Sequence, residues 1–427
     1  MVKLERSLSL LEVTLMSVGI ILGAGIYVVI GEAAGLTGNS IWIAFVIGAI
    51  VAAFTGLSYA ELCSRFPRAG AEYIYVQNSF GRSYAWVTGW LIIAGNVIGA
   101  STVALGFGNY FNALFGVLDV FIVAIIVLIL SGIILIAGVK ETASVTIIFT
   151  IIEATGLAII IFIGMQKLGS VDYFQILHGM EGLIRAGVLI FFSYLGFQGI
   201  TQLAEETKRP EKTIPKAIIY SIIITTIIYI LVGISAVSVI PGSELAGEKA
   251  PLASIAEVVF GSKSFILLSG IALFSTFNTA LMMLLTGSRL VYGMAREKAL
   301  PTLFKRVSKK TLAPWAAIIC VTVAALLVLF LGDLKSIANL TNFTVFTVFI
   351  VVNSALIYLS VKKPKKEGFK VPLRIKNVPI LAVFGIISSI FMIFYISFNV
   401  IFMGLALILI GIIFYYILSK YSREVDF

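Results

Sequence analysis

The residues best placed to do chemistry in this chain are backbone groups at two breaks in apolar segments. Gly23-Ala24-Gly25 interrupts the first segment, and Ser193-Tyr194-Leu195-Gly196 interrupts the sixth. An unwound turn exposes amide and carbonyl groups that hydrocarbon cannot satisfy, so it is tolerated only where protein buries it or where it lines a wet cavity. Paired breaks at corresponding positions of two halves indicate a ligand site near the bilayer midplane.

The helix ends at these breaks have complementary polarity. The amino-terminal end of a helix carries free N–H groups and partial positive charge, and the carboxyl end carries the opposite. Amides near residues 25–28 therefore suit a carboxylate, and carbonyls near residues 20–23 and 191–193 suit an ammonium group, so a zwitterion would satisfy both. The alternative is that these glycines only allow close helix packing. The candidate binding residues are Ile20, Gly23, Ala24, Gly25, Ile26, Phe191, Ser193, Leu195 and Gly196.

Glu153 is the ionisable residue that stands out, because it lies near the centre of the apolar segment 145–164. A carboxylate in mid-membrane costs at least ~2.5 to 3.5 kcal/mol on insertion scales, so such a residue is a functional-site hypothesis by default. It could load and release a proton during a transport cycle. The structural alternative is a permanently neutral Glu that is hydrogen-bonded to a neighbouring helix.

The elements that must position these groups are membrane helices. Of the 427 residues 60% are hydrophobic, against roughly 45 to 50% in a soluble domain. Twelve stretches reach the ~20 residues that cross a bilayer. They are approximately residues 10–34, 41–62, 84–109, 118–138, 145–164, 185–204, 217–239, 264–291, 314–331, 336–360, 378–395 and 399–419.

The distribution of Lys and Arg predicts the orientation. With the amino terminus inside, 26 of the 31 cations fall on the cytoplasmic side; the others are Lys167, Arg185, Lys249, Lys263 and Lys335. Because cytoplasmic loops retain positive charge, both termini are expected in the cytoplasm and the protein in the plasma membrane. The net charge of +10 is explained by this topology and by anionic lipid, so no nucleic-acid partner is expected.

The predicted fold is an all-α polytopic membrane protein, residues 1–427 forming one transport domain. The first five helices span residues 10–164 and the next five span residues 185–360. Since five is odd, the second set runs through the membrane in the opposite sense, which gives a 5+5 inverted repeat with helices one and six broken. Helices eleven and twelve, residues 378–419, are appended. A short surface helix is expected around residues 252–259 of the long external stretch.

Other reactive residue types form no constellation. Cys63 and Cys320 lie in different helices without metal-ligand company, and His178 is the only histidine. No catalytic residues, metal site or cofactor are expected, and the chain is not expected to be an enzyme. Glu205 and Glu206 at the end of helix six are expected to pair with Arg or Lys, as a gating network or a solvated helix end. Glu61 and Arg65 have the spacing of a simple helix pair.

A set of motifs in a fixed order runs along nearly the whole chain. The motifs are Gly23-Ala24-Gly25-Ile26-Tyr27, Tyr59-Ala60-Glu61, residues 66–73, Phe191 to Phe197, residues 204–210, Thr213-Ile214-Pro215, residues 287–290 and 294–297, and Leu300-Pro301. At these residues the chain resembles the amino acid-polyamine-organocation (APC) transporter superfamily, in its prokaryotic form. The resemblance implies a twelve-helix amino acid transporter that works by alternating access and holds the substrate backbone between helices one and six. It also implies that Phe192 acts as an aromatic lid.

The chain departs from this pattern at Glu153. Some proton-coupled relatives have a Lys at the aligned position of helix five, and a Lys is charged when protonated whereas a Glu is charged when deprotonated. The coupling mechanism therefore does not carry over directly. Glu153 could also coordinate sodium with Ser275, Thr276 or Asn278 of helix eight.

The expected function is proton-coupled symport of neutral L-amino acids. Apart from Glu153, the centres of helices one, three, six, eight and ten contain no acidic residue that could neutralise a cationic substrate. The alternatives are an amino acid exchanger, a sodium-coupled symporter and, from another class, a sensor that binds an amino acid without moving it. The expected partners are the amino acid, a proton or sodium, and the bilayer. The sequence leaves the oligomeric state open.

Overall fold

The computed structural model describes residues 6–248, 250–330, 334–364 and 367–424, without the side chains of Ala24, Val28 and residues 334–338 and 419–424. Several cations of the orientation argument lie outside these described groups, namely Lys3, Lys249, Lys335, Lys365, Lys366, Lys420 and Arg423.

Within the described residues the chain is almost entirely helical. Three short 3-10 helices cover Gly38–Ser40, Gly199–Leu203 and Thr302–Lys305, and one antiparallel hairpin pairs β1 (Arg374–Ile375) with β2 (Val378–Pro379). The α-helices are α1 (Leu10–Leu22), α2 (Ala24–Thr37), α3 (Ile41–Arg65), α4 (Ala71–Phe80), α5 (Arg82–Phe115), α6 (Val120–Ala137), α7 (Val139–Met165), α8 (Gly179–Tyr194), α9 (Pro210–Val239), α10 (Gly242–Leu245), α11 (Pro251–Phe260), α12 (Ser262–Arg296), α13 (Trp315–Val328), α14 (Leu334–Lys362), α15 (Ile380–Phe394) and α16 (Phe398–Glu424).

The twelve predicted spans all coincide with helices. By length and composition, ten stretches of the described chain can cross a membrane, and the apolar helices α13 and α15 are shorter, at 14 and 15 residues. These two are the ninth and eleventh spans, so ten and two make the predicted twelve. The structure confirms an all-α polytopic membrane fold. Helix α11 coincides with the short helix that was expected near residues 252–259.

The first break is narrower than predicted. Helix α1 ends at Leu22 and α2 starts at Ala24, so only Gly23 leaves helical geometry, at φ −45° and ψ −143°. The prediction of a three-residue interruption was wrong for Ala24 and Gly25, whose backbones continue the helix. One residue is enough to break the axis because its ψ angle alone redirects the chain.

The second break lies slightly later than predicted. Helix α8 continues through Tyr194, and a turn over residues 195–198 leads into the 3-10 helix Gly199–Leu203. Gly196 has φ +126°, a backbone region that residues with a Cβ rarely adopt. Helix α8 also begins at Gly179, six residues before the predicted start of the span at residue 185.

The helix contacts have the symmetry expected if the two sets of five helices correspond in order, with α1 equivalent to α8, α3 to α9, α5 to α12, α6 to α13 and α7 to α14. Helix α1 packs on α9, and the equivalent helix α8 packs on α3. Helix α6 packs on α5 and α12, and the equivalent helix α13 packs on α12 and α5. Helix α7 contacts α12 as α14 contacts α5. Helix α15 covers α14 and α3, and α16 covers α5 and α14, as appended helices would. The repeat boundaries at residues 10–164 and 185–360 stay a prediction.

The elements that were not anticipated include α4 and the β1–β2 hairpin. The connection between α14 and α15 that carries the hairpin is held by Glu61 of α3. The fully buried Glu61 carboxylate pairs with Arg65 and Arg374 and accepts the Val371 amide at 2.8 Å. The expectation of a simple Glu61–Arg65 helix pair was incomplete, because Arg374 lies over 300 residues away in the sequence.

Glu61→Gln is expected to lower the free energy of unfolding by about 2 kcal/mol, because a charged acceptor shared by two arginines is lost from a buried position. Thermal melting in detergent measures the change. Glu181→Gln is the matched control, since Glu181 and Arg185 have the same spacing but are 66% and 54% exposed. An exposed pair contributes under about 1 kcal/mol, so equal losses in the two variants would contradict the prediction.

Candidate functional site

The two breaks lie directly against each other. A Cβ at Gly25 would lie 2.3 Å from Ser193 Cα, and a Cβ at Gly196 would lie 2.6 Å from Ile20 Cγ2. A Cβ at Gly23 would lie 1.6 Å from Oγ1 of Thr279 in α12. Each glycine therefore permits an approach that a side chain would block. The structure brings the predicted residues of helices one and six together.

Backbone groups at this contact have the polarity that a zwitterion needs. No side chain caps the amino terminus of α2 at Gly23, so the first-turn amides of α2 keep free hydrogen-bonding capacity. The carbonyls of Ile21 and Ser193 converge on one atom, the Tyr229 hydroxyl of α9, which lies 3.0 Å from Ser193 O. A hydroxyl has one hydrogen and can donate to only one of these carbonyls at a time. The converging pair therefore has acceptor capacity left for an ammonium group.

Tyr229 is not among the residues predicted from the sequence. Its signal in the sequence is weak, because tyrosines are common in membrane proteins and α9 carries no break. The remaining predicted residues pack around the contact. The ring of Phe191 packs against that of Phe346 in the core, with 4.5 Å between the ring centroids, and Ile26 and Phe192 are buried. The role of Phe192 as a lid stays a prediction, and the Ala24 side chain lies outside the described groups.

Tyr229→Phe is expected to weaken substrate binding about tenfold, because the hydroxyl that holds the Ile21 and Ser193 carbonyls together is lost. Ligand-dependent thermal stabilisation measures the apparent affinity. Tyr110→Phe is the control, since the buried Tyr110 hydroxyl donates to a single carbonyl, Tyr27 O, at 2.9 Å. Unchanged affinity in Tyr229→Phe, or the same loss in both variants, would refute this role.

A small cavity borders the second break and is lined on the side of helix one by Ile20. Its volume is about 20 Å³, which is room for roughly one water molecule. The cavity is contracted in this conformation, and a molecule the size of an amino acid could enter it only if the helices around it moved apart. The lining residues are Ile20, Glu72, Ile92, Gly95, Asn96, Leu195, Gly196, Gln198, Gly199, Gln202, Met283, Thr286, Thr341 and Val345. Three of these, Ile20, Leu195 and Gly196, were predicted.

Glu72 is the unexpected member of this lining. It is fully buried near the start of α4, and Gln202 Nε2 donates to its Oε2 atom. Burial raises the pKa of the Glu72 carboxyl to about 7, against the opposing effect of hydrogen bonds from its own backbone amide and from Gln202. Glu72 lies outside the predicted membrane spans, because α4 lies between two spans and reaches the cavity from one end.

Some of the residues predicted to hold a coupling ion lie together around Glu153. Asn278 Nδ2 lies 3.5 Å from Glu153 Oε1, and Ser275 lies near the same carboxyl. Among the described groups, Glu153 Oε2, Ser275 Oγ and Asn278 Oδ1 are buried without a hydrogen-bond partner. Thr276 donates its hydroxyl hydrogen to Ala272 O at 2.8 Å on its own helix, and its role as a ligand stays a prediction.

Helix six ends in a buried ion pair. Arg289 of α12 donates to both carboxylate oxygens of Glu206, at 2.9 and 3.3 Å, with both side chains at most 1% exposed. The Glu206 carbonyl accepts the Ser7 and Leu8 amides at 3.0 Å, which attaches the start of helix one. The predicted pairing of Glu205 and Glu206 with basic residues is confirmed, since Glu205 pairs with Arg296 and Glu206 with Arg289. The alternative of a solvated helix end is wrong for Glu206, because its side chain is buried.

A wide vestibule opens at the same end of the molecule, which we call the basic end. Its volume is about 950 Å³. It is lined by Arg6, Arg65, Phe66, Pro67, Arg68, Ile74, Gln77, Asn78, Glu205, Arg296 and Glu297.

Comparison with known proteins agrees with this architecture. The chain matches the family model described as "Amino acid permease" over residues 8–419. The Branched-chain amino acid permease BcaP of Bacillus subtilis (strain 168) is 27% identical over 452 aligned residues, covering 99% of this chain and 95% of that protein. The Methylthioribose transporter of the same organism is 26% identical, covering 89% and 86%.

A plant relative matches a smaller share of its own length. The protein named Cationic amino acid transporter 4, vacuolar, of Arabidopsis thaliana is 29% identical over 79% of this chain, which spans 60% of that protein. These names describe transporters and permeases. With a family match over nearly its whole length and a twelve-helix fold that brings two broken helices together, the chain belongs to the amino acid permease family of the APC superfamily.

Proposed function

We propose that this amino acid permease is a proton-coupled symporter of neutral L-amino acids that works by alternating access. The observation that supports it most is the contact between the two breaks. The uncapped start of α2 offers amides for the substrate carboxylate, and the converging carbonyls of Ile21 and Ser193 offer acceptors for its ammonium group. Both kinds of group are needed for the backbone of an amino acid, whatever its side chain.

The coupling proposal rests on the surroundings of Glu153. Its carboxyl is fully buried, Asn278 Nδ2 lies 3.5 Å from it, and no Lys, Arg or His of the described residues forms an ion pair with it. An unpaired buried charge is strongly unfavourable, so a proton that neutralises this carboxyl compensates for the absent partner. Access from alternate sides would then let Glu153 exchange that proton during the cycle.

A neutral side chain suits the small cavity beside the second break. Ile20, Ile92, Met283 and Val345 give it an apolar wall, and the one acid in its lining, Glu72, is already bonded to Gln202. The relative named a branched-chain permease agrees with this proposal, whereas the relative named a cationic transporter favours another substrate. Competition of leucine and lysine against the transported amino acid distinguishes the two.

The basic end is proposed to face the cytoplasm, with the protein in the plasma membrane. Most Lys and Arg residues fall at this end in the topology, and positively charged loops are retained on the cytoplasmic side. The vestibule would then be the inner mouth of the transport path. Labelling of engineered terminal tags in intact cells and in lysed cells tests this orientation.

The test of function is uptake into proteoliposomes with an imposed inward proton gradient. Uptake should exceed that without a gradient, and Glu153→Gln should remove the dependence because its amide cannot be deprotonated. Glu141→Gln in the same helix is the matched control, since Glu141 is exposed and should keep the dependence. Uptake that requires internal amino acid instead of a gradient would establish an exchanger, and binding without flux would establish a sensor.

Sodium coupling is the second candidate, and one observation favours it. Three buried oxygens without partners, Glu153 Oε2, Ser275 Oγ and Asn278 Oδ1, belong to neighbouring side chains. Oxygen atoms are the ligands that hard cations prefer. If sodium is the coupling ion, a sodium gradient should drive uptake at constant pH, and Ser275→Ala should raise the sodium concentration needed. Under proton coupling neither effect is expected.

A further inference from the structure

One segment of the chain forms the partition between the contracted cavity and the vestibule. The stretch of residues 66–78 supplies Glu72 to the lining of the cavity, and Phe66, Arg68 and Ile74 to the lining of the vestibule. The stretch after the second break does the same, with Gln202 on the cavity side and Glu205 on the vestibule side. These two stretches are therefore the floor that separates the cavity from the basic end.

The two stretches of the floor are bonded to each other by few groups. Gln202 Oε1 accepts the Gly70 and Ala71 amides at 2.9 and 3.2 Å, while its Nε2 donates to Glu72. Glu205 Oε1 accepts the adjacent Ala69 amide at 3.3 Å. Gln202 thus uses both ends of its amide group to hold the start of α4 in place.

The start of α4 also fits closely against α12. Gly70 has φ +82°, and a Cβ at Gly293 would lie 2.3 Å from Gly70 N. Gly70 and Gly293 touch through their backbones, so no side chain of these two residues anchors the start of α4. The hydrogen bonds of Gln202 to Gly70, Ala71 and Glu72 therefore join the two stretches of the floor, and we call this set of bonds the clip.

Glu72 is the titratable group at the centre of this clip. Tyr59 and Cys63 of α3 and Tyr75 of α4 are the other titratable groups that interact around it. No Lys or Arg of the described residues forms an ion pair with Glu72. An ionised Glu72 is therefore a buried negative charge without a cation, and water from the vestibule would stabilise it.

We propose that Glu72 and Gln202 form a proton-operated latch in the floor of the substrate cavity, closed when Glu72 is protonated and released toward the vestibule when Glu72 is ionised. The latch rests on the proposed alternating-access transport, in which this floor must open to discharge substrate at the basic end. It is separate from Glu153, which lies on α7 and does not line the cavity.

The sign of the pH effect follows from linkage. A solvated Glu has a pKa of 4.5, and burial raises that of Glu72 to about 7 in the closed floor. The closed state therefore binds the proton more tightly than the open state. The stabilisation of the closed state that results is complete below pH 4.5 and is lost as pH rises toward 7. Between pH 5.5 and 7.5 the equilibrium should shift toward the open floor by about twentyfold.

Cys63 provides a reporter for this opening. It is fully buried beside the latch, whereas Cys320 is exposed, so Cys320→Ser leaves Cys63 as the only thiol. In proteoliposomes, a membrane-impermeant maleimide is applied from the basic end, and the rate is divided by that of the unfolded protein at the same pH. This normalisation removes the pH dependence of thiol reactivity.

The normalised rate is expected to rise about ten- to twentyfold from pH 5.5 to 7.5 in the parent protein. Glu72→Gln should stay slow at both values, because its amide remains neutral. In Gln202→Ala, labelling of Cys63 should be fast at both pH values. This second variant keeps the test valid if Glu72→Gln fails to fold. An equal rise in the parent and Glu72→Gln, no rise in the parent, or protection of Cys63 in Gln202→Ala would overturn the latch.

The experiment is independent of the transport proposal, because it uses neither amino acid nor ion gradient. Glu153→Gln should keep the full pH response of Cys63 labelling even if it loses gradient-driven uptake. A normal labelling response without any uptake would reject the transport proposal and leave the latch standing. Coupled uptake with a flat labelling response would reject the latch alone.

Discussion

Gly25→Ala is expected to reduce amino acid uptake at least ~100-fold, because misplacement of a binding group by about 1 Å can have an effect of this size. The new Cβ would lie 2.3 Å from Ser193 Cα and 2.7 Å from Ser193 Cβ. A backbone atom cannot rotate away as a flexible side chain can, so α2 and α8 must separate. That movement would displace the α2 amides from the Ile21 and Ser193 carbonyls.

Gly270→Ala is the control for this substitution. Gly270 lies within a membrane helix, α12, and an added Cβ meets no atom within 4 Å. Since alanine favours helix over glycine by about 1 kcal/mol, this variant should keep its uptake and be no less stable. Uptake in proteoliposomes and ligand-dependent melting are measured for both variants. If Gly25→Ala transports and binds normally, the ligand site does not lie at the contact between the breaks.

Glu206→Gln is expected to lower the free energy of unfolding by about 3 to 5 kcal/mol, the range for removing one partner of a buried ion pair. The substitution leaves the fully buried Arg289 without a counter-charge and weakens both of its hydrogen bonds to residue 206. The melting temperature should fall on the order of 10 °C. Because the Glu206 carbonyl also holds Ser7 and Leu8, the start of helix one should become more accessible to protease.

Glu205→Gln is the matched control, one residue earlier in the same stretch. Its partner Arg296 is 42% exposed and Glu205 itself is 16% exposed, so solvent screens the pair. A pair of this kind contributes under about 1 kcal/mol, and the melting temperature should change little. Similar losses in Glu205→Gln and Glu206→Gln would mean that burial does not set the strength of these two pairs.

Glu72 matters for the expected substrate selectivity, because the expectation of a neutral substrate depends on which acids lie near the substrate. Glu72 lies outside helices one, three, six, eight and ten, because it is carried by α4, a ten-residue helix between two spans. It nevertheless lines the cavity beside the second break. Leucine and lysine uptake by Glu72→Gln would therefore report both on the latch and on any contribution of this carboxyl to selectivity.

The sequence alone determined the fold class and the elements that carry the site. A membrane span is recognisable because transfer of about 20 apolar residues into lipid is a local, additive free energy. The breaks near Gly23 and Gly196 were also visible locally, since glycine tolerates backbone geometry that other residues avoid. The exact extent of each break was less predictable, because backbone angles at Ala24 and Gly25 depend on neighbours that the local sequence does not specify.

Only the tertiary structure decided which distant groups meet. Tyr229 reaches the carbonyls of Ile21 and Ser193 across 208 and 36 residues, and Gln202 holds the start of α4 across more than 130. Such contacts depend on how helices rotate and approach one another, which is a property of the whole packed assembly and not of any one segment. The sequence thus determined which helices form and where two of them break, while packing decided which side chains complete the site between them.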